Sequence, residues 1–183
     1  MKVENKTIII TDPCYIIKET GKNPYQFPWE LGLEEKLGKK AYSELVNNYR
    51  GWENKHDDWR KCAYGENMET LGITNYESRG TIYGDWSCTT YNTDTAEELG
   101  QFCADAGMVA VFELDEVRAY NPDIDEWIKK HPWCVTTIKN FTGNVNIEVV
   151  DLEDQVDEEG YMYKEVRVIG KGNINFFTTQ TGL

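Results

Sequence analysis

"TIYGDWSCTTY" (81–91) reads as a β-strand, because Ile82, Tyr83, Trp86, Thr89, Thr90 and Tyr91 all favour extended backbone. Gly84 and Asp85, both poor strand formers, interrupt it. The same pairing of an apolar run with an aspartate and a backbone breaker occurs in "IIITDPCYII" (8–17), at Asp12-Pro13. Pro13 cannot donate to a strand ladder, so the strand must end, bulge or lie at an edge there. A third case is "ADAGMVAVF" (104–112), where Asp105-Ala106-Gly107 precedes an apolar run. Three matching interruptions predict turns or bulges at the strand ends of one sheet.

The neighbouring segments fill in the fold. Met108 to Phe112 is apolar at every position, which predicts a central strand covered on both faces. After residue 134 the chain reads as a β-meander. "CVTTIKNF" (134–141) leads to a turn at "TGN", and "VNIEVVDLE" (145–153) alternates cleanly. "DQVDEEG" is an acidic turn region, and "YMYKEVRVIG" (161–170) and "NINFFTTQ" (173–180) form a hairpin joined by "KG". Helical spacing appears in "KKAYSELVNNYR" (39–50), and a second short helix follows in 51–65. "NTDTAEELGQFCADAG" (92–107) carries a helix start at Thr93 or Asp94 with Glu97 and Glu98 in the first turn, so a helix is predicted there. "NPDIDEWIKKH" (121–131) predicts another, with Ile124, Trp127 and Ile128 as its buried stripe. Six or seven strands and three or four short helices give one α+β domain over 1–183. Its core is a mainly antiparallel β-sheet, with an aromatic-rich helical or irregular insertion at 20–78 and the C-terminal β-meander at 134–183.

Composition narrows the function classes. A chain of 183 residues with 40% apolar content can bury a real core. No apolar run spans a bilayer and no signal-peptide pattern opens the sequence, so a cytoplasmic, non-membrane protein is expected. Five scattered cysteines without a C-x-x-C pair predict reduced thiols rather than disulfides or zinc ligation. The net charge of −13 disfavours direct nucleic-acid binding, which needs clustered Lys and Arg. It leaves solubility, cation binding and mimicry of nucleic acid as readings of the acids.

"TDPCYII" (11–17), "TIYGDWSCTTY" (81–91) and "ADAGMVAVF" (104–112), taken together, resemble a group of small phage and prophage proteins. In that group a D-P-C-Y strand is followed by a Y-G-D-G-x-Y strand and a V-D-[SA]-G strand. The chain departs from that pattern at Trp86, which stands where the second glycine of G-D-G would be. Its 20–78 segment is longer than the group's spacer, and the meander after 134 has no counterpart in the pattern. The resemblance implies a mobile-element origin and a shared β core, and it implies no reaction.

Two sets of residues could carry function. Asp12, Asp85 and Asp105 would form an oxygen-rich cluster for Mg²⁺ or Ca²⁺ if their strands were neighbours. Against this, aspartates beside Pro or Gly commonly accept hydrogen bonds from local backbone N–H groups and fix turns. The second set is aromatic and cationic. Trp52, Trp59, Tyr64 and Trp86, with Arg60 and Arg79, could line a ligand pocket or protein interface, and Trp29 and Arg50 lie nearby in sequence. Cys14 with His56 or His131 would be a nucleophile pair, but no base is placed beside the thiol by the sequence. No cofactor fingerprint occurs. The reading is a non-enzymatic phage-type binding protein, possessing no cofactor, that captures a small nucleotide-like ligand or a host protein in counter-defence. The alternatives are a metal-dependent hydrolase using the three aspartates and an acidic DNA-mimic inhibitor.

Overall fold

Residues 8 to 12 are wholly buried because β1 (Lys2–Thr11) has an apolar layer on each face. Ile8 and Ile10 enter one core, and Ile9 enters the other. The structure is a computed structural model describing residues 1–17, 33–55, 65, 68–82, 84–156 and 158–181. The remaining strands are β2 (Tyr76–Gly80), β3 (Trp86–Asn92), β4 (Glu98–Ala104), β5 (Met108–Glu113), β6 (Val135–Val156), β7 (Met162–Gly172) and β8 (Phe176–Thr181). They form one antiparallel sheet in the order β2-β5-β1-β6-β7-β8-β3-β4. The α+β class is as the sequence predicts.

The helices are α1 (Leu33–Leu37), α2 (Lys39–Lys55), α3 (Leu114–Tyr120) and α4 (Ile124–Lys130), with short 3-10 turns at Pro13–Ile16 and Met68–Leu71. Helices α3 and α4 and both 3-10 turns cover the outer face of β1 and β5. There Ile16, Met68, Leu114 and Ile124 pack with Ile9 and Phe112. The inner face is closed by the sheet itself. Trp86, Cys88 and Phe102 of β3 and β4 meet Ile8, Val111, Phe141 and Val168 of the strands from the other half. The Thr90 hydroxyl donates to the Thr136 hydroxyl at 3.1 Å, and a Cβ placed on Gly100 would lie 3.2 Å from the Thr136 side chain. Phe112 and Val111 thus face opposite cores, which is the two-sided cover predicted for this strand.

Four segment expectations are corrected. Of the strand predicted over 81–91, only the part from Trp86 onward forms, as β3; β2 ends before it at Gly80. The helix predicted over 92–107 is a hairpin turn followed by β4. Its apparent cap belongs to the turn, because the Asn92 Oδ1 accepts from the N–H groups of Asp94 (2.8 Å) and Thr95 (3.1 Å). The segment then alternates, with Phe102 and Ala104 in the core, and cross-strand burial overrides the helical start signals. The turn predicted at "TGN" does not form, and β6 runs unbroken through it. Gly143 is there because β7 passes close by: an added Cβ would meet the Lys171 carbonyl oxygen at 2.2 Å. Likewise "KG" lies within β7, and the hairpin loop is residues 173–175. The described part of the predicted insertion is α1, α2 and the 3-10 turn at Met68–Leu71, and β2 begins inside it at Tyr76.

Candidate functional site

Strands β2 and β3 run consecutively on one side of a long ribbon, and β4 and β5 run consecutively on the other. Gly80 pairs with Met108 at the end of one half, and Trp86 pairs with Ala104 at the start of the next. The break therefore leaves five residues (81–85) on one side against three (105–107) on the other. Unequal lengths force the ribbon to turn a corner, as a large bulge does. The corner takes one half of the ribbon to β1 and the other to β8, which closes the sheet around its inner core.

The three sequence interruptions meet at this corner. Thr81 donates its N–H to the Gly107 carbonyl at 2.8 Å, and its hydroxyl contacts both Gly107 and Gly84 carbonyls. Gly107 has a φ of +69°, and a Cβ there would lie 3.6 Å from the Gly84 Cα. Asp12, at the end of β1, reaches into the same corner. Its Oδ1 accepts from the Cys14 N–H at 2.8 Å, which starts the 3-10 turn. Its Oδ2 accepts from the Ala106 N–H at 2.7 Å and, more loosely, from the Met108 N–H at 3.4 Å. The Tyr15 hydroxyl donates to the Asp105 carboxylate, so the segment after Asp12 is tied to the turn twice.

Burial dominates the electrostatics. It raises the Asp12 pKa from 3.8 to about 6, opposed by the Cys14 thiol and by the backbone donors of Cys14, Ala106 and Met108, which favour the charged form. Partial desolvation of its carboxylate also raises Asp105, although the residue as a whole is exposed. Asp85 is exposed on the outside of the corner. Among the described residues, no three His, Cys, Asp or Glu side chains are grouped to hold a cation. Asp12 and Asp105 are thus brought to one place, with the backbone of Gly84 beside them, and the arrangement is a backbone clamp.

Of the nucleophile candidates, Cys14 lies at the corner with its N–H on Asp12, and His131 lies apart from it on the end of α4. Cys14 is buried. Burial pushes the Cys88 and Cys134 thiols up to about 12, far from thiolate formation. His131 closes the C-terminal end of α4, stacks on Trp127 at 4.6 Å and has its Nδ1 2.9 Å from the Trp127 carbonyl. Of the aromatic and cationic set, Trp86 is buried in the inner core, and its indole N–H has no hydrogen-bond partner among the described residues. Arg79 is exposed on β2. Trp52 falls within α2, but its side chain lies outside the described residues, as do Trp29, Arg50, His56, Trp59, Arg60 and Tyr64.

A feature the sequence reading passed over as a meander is the far end of β6 and β7. β1 pairs with β6 only as far as Asn144, and β8 pairs with β7 only at Ile169 and Gly170. Met1 adds a last pair of backbone hydrogen bonds to Val145, and beyond it, among the described residues, β6 and β7 pair only with each other. They form a two-stranded arm. Its apolar stripe starts in the core at Val145, wholly buried, and emerges at Val149, which is 39% exposed. Val156 (58%), Tyr161 (69%), Met162 and Tyr163 extend the exposed apolar surface to the tip. These are five of the eight exposed large hydrophobic residues among those described, so apolar exposure is concentrated here. The signal in the sequence is an acidic run followed directly by "YMY".

Comparison with protein-family models, curated proteins and solved structures returns no match. No helix among the described residues is long and apolar enough to cross a membrane.

Proposed function

We propose that the protein is a non-catalytic binding protein of phage type, acting in the host cytoplasm, which captures a host protein as counter-defence proteins do. Capture of a small nucleotide-like ligand is the second form of the same reading. One observation carries it: the Asp12 carboxylate, the most buried of the three aspartates, is fully engaged by backbone donors from two segments. A carboxylate used this way fixes a fold, whereas a metal ligand or general base needs a lone pair aimed at its substrate. The exposed apolar arm adds to the reading, because such surface on a soluble chain commonly marks an interaction site.

The rival is a metal-dependent hydrolase that uses Asp12, Asp85 and Asp105. Purified full-length protein separates the two. Nucleotide and phosphodiester substrates are incubated with it in Mg²⁺ or Mn²⁺, beside the Asp85→Ala variant. The binding reading predicts no turnover above blank in either. Metal-dependent turnover that disappears in Asp85→Ala, an exposed residue whose loss leaves the corner's hydrogen bonds in place, would defeat it.

A further inference from the structure

We infer that the β6–β7 arm is the docking element, and that it adds a basic, extended segment of a partner protein as a new strand along the open edge of β6. The inference rests on the binding-protein reading and specifies the partner's chemistry.

Three independent features meet in the arm. The first is the backbone. From Asn146 to Val156 no strand is hydrogen-bonded to the outer edge of β6 among the described residues, which leaves its N–H and C=O groups open to strand addition. The edge of β7 is less open. The Thr178 hydroxyl accepts from the Val168 N–H at 2.9 Å, and the buried Glu165 accepts from the Gln180 N–H, so side chains fill the gap where β7 and β8 part. The second feature is apolar surface, with Val149, Val156 and Met162 exposed on the ribbon. A two-stranded ribbon alone is only marginally stable in water, so a third strand would stabilise it.

The third feature is charge. Seven of the twelve residues from 148 to 159 are acidic, and Lys164, the first basic residue after them, pairs with one of these, Asp151, at 3.7 Å. Charge on an edge strand also prevents self-pairing, but that purpose is not served by exposing five large apolar side chains on the same ribbon. The run selects the occupant. A second copy of this chain would bring the same acidic run and a net charge of −13 against it. A cationic strand with alternating apolar residues matches both the charge and the exposed stripe.

The test uses the full-length chain and a short peptide of alternating lysine and valine, with a matched glutamate–valine peptide as control. Hydrogen exchange is measured with and without peptide, and affinity is measured at low and physiological salt. The expected result is protection of amides in 146–156, binding that weakens with salt, and no binding of the acidic peptide. Two variants alter exposed positions only: Gln155→Lys with Glu158→Lys, and Val156→Ser with Met162→Ser. Each is expected to weaken binding by about tenfold or more while leaving the circular dichroism spectrum unchanged. Unchanged affinity in both variants, protection confined to other segments, or equal binding of the acidic peptide would overturn the inference. So would peptide-free dimerisation that protects the same amides, since the occupant would then be a second copy. Failure here leaves the binding-protein reading to the turnover experiment, which involves neither arm nor peptide.

Discussion

Asp12 is the residue on which the corner depends. It sits where β1 ends because Pro13 cannot continue the ladder and holds Asp12 in extended backbone, with φ −73° and ψ 133°. From there its two oxygens reach the N–H groups of Cys14, Ala106 and Met108. Asp12→Ala strands those donors in a buried place. Each stranded group costs about 1–3 kcal/mol, so the variant is expected to lose several kcal/mol and to unfold at a clearly lower temperature by calorimetry. Asp12→Asn keeps one acceptor oxygen but turns an NH₂ group toward N–H donors, and a loss of about 1–3 kcal/mol is expected. Asp85→Ala, at an exposed position, is expected to change stability by less than about 0.5 kcal/mol. Equal losses for the Asp12 and Asp85 variants would contradict the division of roles between them. Tyr15→Phe removes one of the two ties to the turn and is expected to cost about 0.5–1.5 kcal/mol in urea unfolding.

At the scale of elements, the parts of the fold legible in the sequence are those whose local pattern agrees with their final packing. The α4 stripe of Ile124, Trp127 and Ile128 packs against the outer core, as its helical spacing predicts. The continuous apolar run of β5 divides between two cores. The three aspartate-bearing breaks are legible as turns, because Asp beside Pro or Gly has a local backbone partner at hand. What was not legible depends on distant strands. β4 carries helix-start residues, yet Phe102 and Ala104 are drawn into a core made with β1 and β6. Nothing in residues 92–107 announces those neighbours. β6 looks divided at "TGN" because a glycine between polar residues normally signals a turn, whereas Gly143 answers to β7 crossing beside it. Gly143→Ala would drive a methyl group into the Lys171 carbonyl, and a loss of about 1–3 kcal/mol is expected in thermal or urea unfolding. A neutral result would mean that β6 and β7 separate more easily than their contact implies. The arm is illegible for a related reason. Alternation identifies a strand, but only the pairing of its neighbours shows where the sheet stops covering it.

For the whole molecule, the corner has a consequence for stability against pH. Burial holds Asp12 at a pKa of about 6 in the folded protein, against 3.8 for the free side chain. Between those values the folded chain keeps a proton that the unfolded chain releases. Stability from this group is therefore present in full below about pH 4, falls as pH rises, and is gone above about pH 6, a change of about 3 kcal/mol. Asp105 shifts in the same direction, so the wild-type curve alone mixes two groups. The difference between wild type and Asp12→Asn isolates Asp12. The most direct measurement is urea unfolding of both proteins at intervals from pH 4 to pH 7. If Asp12 is the buried clamp of the corner, the stability advantage of wild type over Asp12→Asn shrinks progressively as pH rises from about 4 to about 6, then levels off. Parallel curves for the two proteins across that window would contradict it, because Asp12 would then titrate alike in folded and unfolded chains and could not be the buried group that holds the corner.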